Sequence, residues 1–452
     1  MPPSAPPEKP IDPEPESLPT QFLVLLELAS NGGDDAIRYY DEILQKKRHL
    51  SDVWYRVGLI APARVSDVVY PPATCFCKSL RYDVLDRRLV GRMRSDCWAC
   101  LGDHGGGHVL DGSHVHTPQE CYAEALAIKP DHNDAWFEGG RAGGVVLAGR
   151  SYEPVECYQK AIEIEPDSET YWRELSQLGG GLVGGQRYNA AACTAQVVRC
   201  DPTDVEAWYG LGSAGGAPVG GRAHTAAECY ARVLELDEQH TKAWFLLGLE
   251  GGAKVHDEEL SAAECFARLL RVEPSNSTAW MRLGMVGGGV VDGVHHTAKR
   301  CYERSLDPAP SPDCVTQSGL SCRWALLGRE GGGEIMSISF SETACYEHAL
   351  ECVTVETDDV PALTKLWCEL AGVGGGTVSG VARTAAACLD KALELDPECA
   401  TARAMLDAML EEWARRDDLR RAMRSLALLG GLDDDGLLRA HPAKRPRCED
   451  ID

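Results

Sequence analysis

The chain has 452 residues, enough for about three ordinary domains and a sizeable core. Acidic residues outnumber basic ones 69 to 45, and a net charge of −24 disfavours direct nucleic-acid binding. No uncharged apolar run reaches the roughly 18 residues of a membrane span, so we expect no membrane association. The Pro-rich start lacks the apolar segment of a signal peptide. We therefore expect an intracellular protein whose 19 cysteines are thiols rather than disulfides.

The first predicted elements precede any repeat. Residues 1–18 contain seven prolines and are predicted to form a disordered tail. The segment 19–50 is predicted to contain an opening helix pair, from Phe22 to Leu44, that turns at Asn31-Gly32-Gly33.

A tryptophan and a cysteine recur together from residue 51 to residue 399, and such self-similarity indicates a repeat architecture. In eight pairs the cysteine, which we call the slot cysteine, follows the tryptophan by the same 21 positions, and in Trp98/Cys121 by 23. The full set is Trp54/Cys75, Trp98/Cys121, Trp136/Cys157, Trp172/Cys193, Trp208/Cys229, Trp244/Cys265, Trp280/Cys301, Trp324/Cys345 and Trp367/Cys388. We name each unit by its tryptophan.

Each unit is predicted to contain two short helices. In the Trp244 unit, Trp244 and Leu247 share one helical face, and Cys265, Phe266 and Leu269 share another. Neither helix, called A and B in chain order, is long enough to be stable alone, so each pair must pack against the next pair. Helix B is predicted to end at a proline in five units, at Pro130, Pro166, Pro202, Pro274 and Pro397.

This pattern resembles the tetratricopeptide repeat. The Trp–Leu–Gly signature of its helix A is matched by Trp208, Leu211 and Gly212, and again by Trp280, Leu283 and Gly284. The small residue early in its helix B corresponds to Ala190, Ala226, Ala262 and Ala298. The helix-B aromatic corresponds to Tyr122, Tyr158, Tyr230, Phe266, Tyr302 and Tyr346. The resemblance covers roughly residues 20 to 410 and implies an all-α fold, an α-solenoid of about nine to ten antiparallel helix pairs.

Two departures from that family are visible. The regular tryptophans are 36 positions apart rather than the family's 34, and a glycine pair replaces the aromatic late in helix A, for example Gly251-Gly252. Glycine ends a helix readily in a left-handed C-cap. We therefore predict a short helix A and a Gly-rich loop of about ten residues before helix B. This resembles the longer connection of Sel1-like repeats.

The array is irregular in three places. The spacing from slot cysteine to next tryptophan lengthens around residues 81–90, 309–317 and 353–361, where we expect loops or longer helix ends. Residues 400–432 are predicted to form C-terminal capping helices, because a last repeat needs a solvated outer side.

The final segment, 433–452, is predicted to be a disordered tail that carries a basic motif. Lys444, Arg445 and Arg447 resemble a monopartite nuclear localisation signal. This implies importin as a partner and a nuclear or nucleo-cytoplasmic location. A solubilising tail is the alternative.

Some cysteines, histidines and glycines resemble a metal site or a cofactor motif, but their positions in the repeat give another explanation. Cys97, Cys100, His104 and His108 have residue types that bind zinc. However, the two cysteines flank the repeat tryptophan Trp98, so we predict no metal site. Gly210, Gly212 and Gly215 match a dinucleotide fingerprint as a string but follow a helix rather than a strand, so we predict no cofactor. We interpret the slot cysteines as packing residues.

A stripe along helix A is the predicted partner-binding surface. Residues one and five positions after each tryptophan share a face that lines the concave groove in tetratricopeptide repeats. The end of this stripe nearest the N-terminus carries Arg141 and Arg173, and its middle is apolar. Its members are Phe137, Arg141, Arg173, Gln177, Tyr209, Phe245, Leu249, Met281 and Met285, and Ser213 lies on the same face. The alternative is that these residues pack between repeats.

We therefore predict a non-catalytic scaffold that binds peptide or helical segments of unidentified partner proteins in a concave groove. One alternative is a regulatory or substrate-recruiting subunit of a separate enzyme complex. Another is a nuclear RNA-processing scaffold. A carboxylate clamp is disfavoured, because the positions five residues after each tryptophan are mostly apolar and contain no Asn.

Overall fold

The computed structural model describes residues 36–60, 63–65, 68–109, 114–307, 317–353 and 359–415. Contacts divide the chain into a first part, 1–225, and a second part, 226–452. Both parts consist of antiparallel helix pairs, so the predicted α-solenoid fold is confirmed for each. The opening helix is Ala36–Lys46 and the closing helix is Ala400–Arg415. The remainder of the predicted opening pair, capping helices and tails lies outside the described residues.

Among the described residues, nine A helices and nine B helices lie between these two. The A helices are Ser51–Ile60, Gly91–Asp103, Asn133–Arg141, Glu169–Gln177, Val205–Ser213, Thr241–Leu249, Ser277–Met285, Gln317–Arg329 and Val360–Gly372. The B helices are Pro72–Asp86, Pro118–Ile128, Pro154–Ile164, Ala190–Cys200, Ala226–Leu236, Ala262–Val272, Ala298–Leu306, Glu342–Cys352 and Ala385–Leu395. In the regular units helix A has only nine residues, as predicted from the glycine pair that follows it.

In eight of the nine helix pairs that the structure describes, the connection between helix A and helix B is a β-hairpin, where we predicted a Gly-rich loop. Eight two-stranded antiparallel sheets lie in the described residues, and each is one hairpin. Their strands are Ala63–Val65 with Val68–Tyr70, Val145–Leu147 with Arg150–Tyr152, Gly180–Val183 with Gln186–Asn189, Gly216–Val219 with Arg222–Thr225, Gly252–Val255 with Glu258–Ser261, Gly288–Val291 with Val294–Thr297, Gly333–Ile335 with Ile338–Phe340, and Gly375–Val378 with Val381–Thr384.

Left-handed residues open and turn the seven hairpins whose turns the structure describes. Both glycines after helix A have positive φ, for example 97° at Gly251 and 95° at Gly252. A Cβ on Gly252 would lie 2.0 Å from the carbonyl oxygen of Leu260, so the strands meet too closely there for any side chain. Both residues of each described two-residue turn also have positive φ, as in Asp292-Gly293, a geometry that matches the strand twist.

The hairpins join neighbouring units. The first strand contacts helix B of the preceding unit, where Glu303 Oε1 accepts a hydrogen bond from Glu334 N at 2.9 Å. A ring lies on the tryptophan of its own unit in seven units, with ring centroids 4.9–5.3 Å apart. In six of them the ring comes from the second strand, and in the Trp98 unit it comes from His116, which forms an isolated β-bridge with Gly107. These ring residues are Tyr70, His116, Tyr152, Tyr188, His224, His296 and Phe340. The hairpin therefore packs against helix B of the preceding unit on one side and against the tryptophan of its own unit on the other.

The irregular places partly match the expectation of longer helix ends. Helices Gly91–Asp103, Gln317–Arg329 and Val360–Gly372 have 13 residues each, about one turn more than regular A helices. Near the first, buried Asp83 accepts hydrogen bonds from Leu89 N and Arg94 Nε, which hold the connection in place. No helix among the described residues is long and apolar enough to cross a membrane.

Candidate partner-binding site

The tryptophan fixes which face of helix A remains available. In the regular units its ring is buried, and its Nε1–H donates to a carbonyl six residues earlier, as from Trp280 to Pro274 at 2.9 Å. The leucine three residues later, such as Leu247 or Leu283, is fully buried. Residues one and five after the tryptophan therefore occupy the helix face beside this core.

Residues one position after the tryptophan are mostly packed. Phe137 is only 8% exposed and lies between Tyr158 and Tyr171, with ring centroids 5.6 and 4.7 Å away. Phe137 thus packs between repeats, the alternative interpretation of the stripe, and offers little surface to a partner. Phe245 is half-buried beside Phe266, with ring centroids 6.0 Å apart. Tyr209 and Met281 are half-buried too.

Residues five positions after the tryptophan are exposed. Leu249 is 46% exposed and Met285 50%, at equivalent ends of consecutive A helices. Val286 beside Met285 is 46% exposed. Gln177 and Arg141 occupy the same position in the first part and are exposed as well. Leu249 and Met285 are therefore the exposed apolar side chains of the stripe, and Val286 lies beside it.

The two arginines of the stripe already have partners. Arg141 pairs with Glu138 of its own helix at 3.3 Å. Arg173 pairs with Asp204 at 2.6 Å and with Glu169 at 3.6 Å. An acidic ligand would have to compete with these carboxylates, so charge contributes less to the stripe than its sequence indicated.

A groove of about 650 Å³ lies at the end of the second part. Cys368 and Gly372, one and five positions after Trp367, line it. Tyr346 of the preceding helix B and Met405 of the closing helix complete its apolar side. The same spacing identifies these positions in the sequence, but the predicted stripe covered only the regular units. The missing side chain at Gly372 leaves the space open.

The slot cysteines are buried, as predicted. All nine are fully inaccessible, and burial raises their pKa, to about 12 for Cys265 and to about 11 for Cys193. A neutral thiol beside the helix-B aromatic is a small apolar packing group.

The candidate zinc ligands occupy separate positions. Cys97 is fully buried on helix A, and its burial raises the pKa of the thiol well above the usual range. His104 Nδ1 lies 2.8 Å from the carbonyl oxygen of Cys100, and His108 is exposed. No group of three or more His, Cys, Asp or Glu residues could hold a metal ion in the part of the chain that the structure describes.

Two other sequence features have simple outcomes. Gly210 and Gly212 lie within helix A and Gly215 after its end, so this string does not have the strand-to-helix context of a dinucleotide site. The basic motif of Lys444, Arg445 and Arg447 lies outside the described residues.

The sequence matches no protein-family model and no curated protein. The solved structures that are similar to this chain include the following two. One is a protective antigen of uropathogenic Escherichia coli strains that displays an SLR fold, at 16% identity and TM-score 0.47, with 87% of this chain and 79% of that chain covered. The other is yeast Tom70, at 12% identity and TM-score 0.27, with 90% of both chains covered. TM-scores below 0.5 add no argument about function, and it is the helix pairs themselves that match the predicted resemblance to tetratricopeptide and Sel1-like repeats.

Proposed function

We propose that the chain is a non-catalytic scaffold that binds a helical or extended segment of a partner protein along the helix-A stripe. The observation that carries this proposal is the exposure of Leu249 and Met285, at the same position of consecutive repeats. Large apolar side chains that recur on one accessible face favour association with another apolar surface. The partner segment is expected to supply apolar anchors at a spacing that matches the repeats.

The groove beside Cys368 and Gly372 supports the same proposal. Its volume of about 650 Å³ is in the range that accommodates several side chains of a peptide. Val373 and Met405 offer apolar contacts, and Lys365 and Glu369 lie at its polar side. Regulation of a separate enzyme and RNA processing are settings in which such a scaffold could act, and both stay predictions.

Quantitative affinity purification tests the proposal. The paired substitution Leu249→Ser with Met285→Ser should remove a defined set of captured proteins while the thermal unfolding midpoint stays near that of the natural chain. The matched control is Val290→Ser with Val294→Ser, because these hairpin residues are 48% and 56% exposed but lie outside the stripe. Equal capture by both double variants would contradict the proposal.

Nuclear import through the C-terminal tail is a separate proposal that rests on sequence alone. Lys444, Arg445 and Arg447 provide separated basic side chains in a Pro-containing segment. Fusion of residues 438–452 to a fluorescent reporter should enrich it in the nucleus, and Lys444→Ala with Arg445→Ala should abolish the enrichment. A reporter distribution that the tail does not change would contradict this proposal.

A further inference from the structure

The connection around residues 81–90, one of the irregular places, is bordered by lengthened helices. Helix Pro72–Asp86 has 15 residues and helix Gly91–Asp103 has 13, whereas regular B and A helices have 11 and nine. Each of the two helices is therefore about one turn longer. The two extra turns and the four residues between them span residues 83–94, which we call the 83–94 insertion.

Hydrogen bonds attach the insertion to the helices around it. Asp83 is buried and accepts hydrogen bonds from Leu89 N at 2.7 Å and from Arg94 Nε at 2.6 Å. Asp86 accepts hydrogen bonds from Ser51 N at 2.8 Å and from Ser51 Oγ at 2.6 Å. Both carboxylates of the insertion are therefore engaged within the fold.

Three large apolar side chains of the insertion are exposed although its backbone is held. Val84 is 62% exposed, Leu85 66% and Val90 71%. These are three of the four highest values for large apolar residues in the part of the chain that the structure describes. The hydrogen bond from Leu89 N to Asp83 brings the connection back to the end of the first helix, so Val90 lies near the other two. Apolar side chains that cluster in this way on a surface mark interaction sites.

The accessible charges of the insertion are mainly positive. The side chain of Arg92 is 81% exposed, whereas that of Asp96, 3.6 Å away, is 26% exposed. The side chain of Arg94 is 41% exposed and that of its partner Asp83 only 5%. Arg87, the left-handed residue that follows the first helix, is exposed as well. A ligand that approaches from solvent therefore meets arginines before carboxylates.

A basic residue of the preceding loop lies beside the insertion. His49 contacts Tyr82, with ring centroids 4.7 Å apart, and the neighbouring Arg48 is exposed. Residues 36–103 contain twelve Lys and Arg residues and eight Asp and Glu residues, a net charge of +4, while the whole chain carries −24. The insertion therefore lies in a region whose charge is opposite to that of the rest of the chain.

We propose that the 83–94 insertion is a docking surface for a partner segment that carries acidic and apolar side chains together, as an acidic amphipathic helix does. Apolar residues of the segment would pack on Val84, Leu85 and Val90. Its carboxylates would pair with Arg48 and Arg92 beside them, which gives orientation and faster association. This surface is separate from the helix-A stripe, so the proposal stands whether or not the stripe binds a partner.

Other negatively charged occupants fit these observations less well. A nucleic acid would use the arginines for its phosphates but would leave the apolar side chains uncovered. An anionic membrane presents an extended negative surface, which would repel the residues outside 36–103, whose net charge is −28. The chain's own residues 1–35 are acidic too, but their apolar run at 22–29 belongs to the predicted opening helix pair. A short acidic segment of a partner avoids these difficulties.

Fluorescence anisotropy with the full-length protein tests the proposal. The labelled probe is a peptide of three Glu-Leu-Leu-Glu repeats, which combines acidic and apolar side chains on a helix. We expect saturable binding, and binding weaker by roughly tenfold or more for the corresponding Glu-Ser-Ser-Glu and Lys-Leu-Leu-Lys peptides. Equal binding of the three peptides would overturn the proposal. So would absence of binding, which occupation of the surface by residues 1–35 would also produce.

Substitution of the exposed apolar residues locates the site. Val84→Ser with Leu85→Ser should weaken binding of the acidic peptide roughly tenfold or more, while the thermal unfolding midpoint stays near that of the natural chain, because both side chains are exposed. The matched control is Val146→Ser with Leu182→Ser, because these hairpin residues of the first part are 61% and 54% exposed but lie outside the insertion. Unchanged affinity in the first variant would overturn the proposal.

Charge reversal tests the electrostatic contribution. Arg48→Glu with Arg92→Glu should weaken binding of the acidic peptide and strengthen binding of the Lys-Leu-Leu-Lys peptide, because opposite charges then face each other in the second case only. A surface that was merely disturbed would not reverse its preference. The same direction of change for both peptides would overturn the proposal.

Two further measurements separate this surface from other kinds of binding. Leu249→Ser with Met285→Ser should leave binding of the acidic peptide unchanged, since these residues belong to the stripe. Loss of peptide binding in that variant alone would place the peptide on the stripe, which would overturn this proposal without contradicting the proposed function. Vesicles of phosphatidylcholine and phosphatidylserine should not cosediment with the protein. Binding to these vesicles without binding to the peptide would identify a membrane site and overturn the proposal.

Discussion

In most units a glycine on helix A packs against an aromatic ring on helix B. The ring leaves no room for a larger residue at the glycine. Four residues after six of the tryptophans stands a glycine on which a Cβ would lie 2.5–2.9 Å from the helix-B ring. These glycines are Gly58, Gly102, Gly140, Gly248, Gly284 and Gly328. In the Trp172 unit both members change, to Ser176 and Thr194, whose hydroxyls lie 2.8 Å apart. In the Trp367 unit they are Ala371 and Leu389. The sequence revealed both halves of this signature separately, but only the structure brings them into contact.

This coupling predicts a rescue. Gly248→Ala should destabilise the fold by roughly 1–3 kcal/mol, because its methyl group would lie 2.6 Å from the ring of Phe266. Adding Phe266→Leu should recover part of that loss, since the Ala371 and Leu389 pair already combines these sizes. Urea unfolding of the two single variants and the double variant measures the coupling. Strictly additive losses would contradict the account.

The slot thiols predict how stability depends on pH. Burial raises the pKa of Cys265 from its ordinary value of 9.0 to about 12, and the other slot cysteines shift the same way. Between these values the folded chain keeps protons that the unfolded chain releases, so the free energy of unfolding should fall as pH rises above 9. Below pH 9 the thiols should contribute no pH dependence. Chemical unfolding at a series of alkaline pH values measures it.

Alkylation provides an independent check of the same thiols. Cys322 is exposed, whereas the slot cysteines are fully buried. Brief treatment of the native protein with iodoacetamide, followed by mass spectrometry, should modify Cys322 well before Cys265 or Cys301. Rapid modification of the slot cysteines in the folded protein would show that they are not packing residues.

The hairpin is the element that sequence reasoning missed. Val290-Val291-Asp292-Gly293-Val294 has the β-branched residues and the Asp-Gly turn of a hairpin. The two glycines before it dominated the interpretation, because they end a helix and also favour a loop. Such short strands gain stability only from helices on either side, and a sequence does not show these contacts directly.

The glycine pair before each hairpin offers a matched comparison. Gly251 and Gly252 both have positive φ, so alanine at either position should cost about 1–2 kcal/mol in backbone strain. Only at Gly252 would the new Cβ meet the carbonyl oxygen of Leu260, at 2.0 Å, whereas Gly251 faces open space. Gly252→Ala should therefore be clearly less stable than Gly251→Ala in thermal unfolding. Equal midpoints would indicate that the strands do not approach each other in this way.

On the scale of the whole molecule, periodicity predicted the helix pairs and the short A helices well. A buried tryptophan, leucine and cysteine at fixed spacing leave few other ways to pack two helices. The stripe was harder to predict, because spacing identifies a helix face but not its exposure. Phe137 and Met285 share that face in sequence, yet one is 8% and the other 50% exposed. Phe137 lies beside its tryptophan and is covered by Tyr171 of the neighbouring helix A, whereas Met285 lies at the end of its helix.

The central claim is that a partner contacts the exposed end of helix A. Site-specific photo-crosslinking tests it most directly, with a photoreactive amino acid placed at Leu249 or Met285 and, as controls, at Val290 or Val294. The account predicts that partners captured by the natural chain crosslink from Leu249 and Met285, and that the hairpin positions give little product. Crosslinks from Val290 and Val294, with none from Leu249 and Met285, would contradict it.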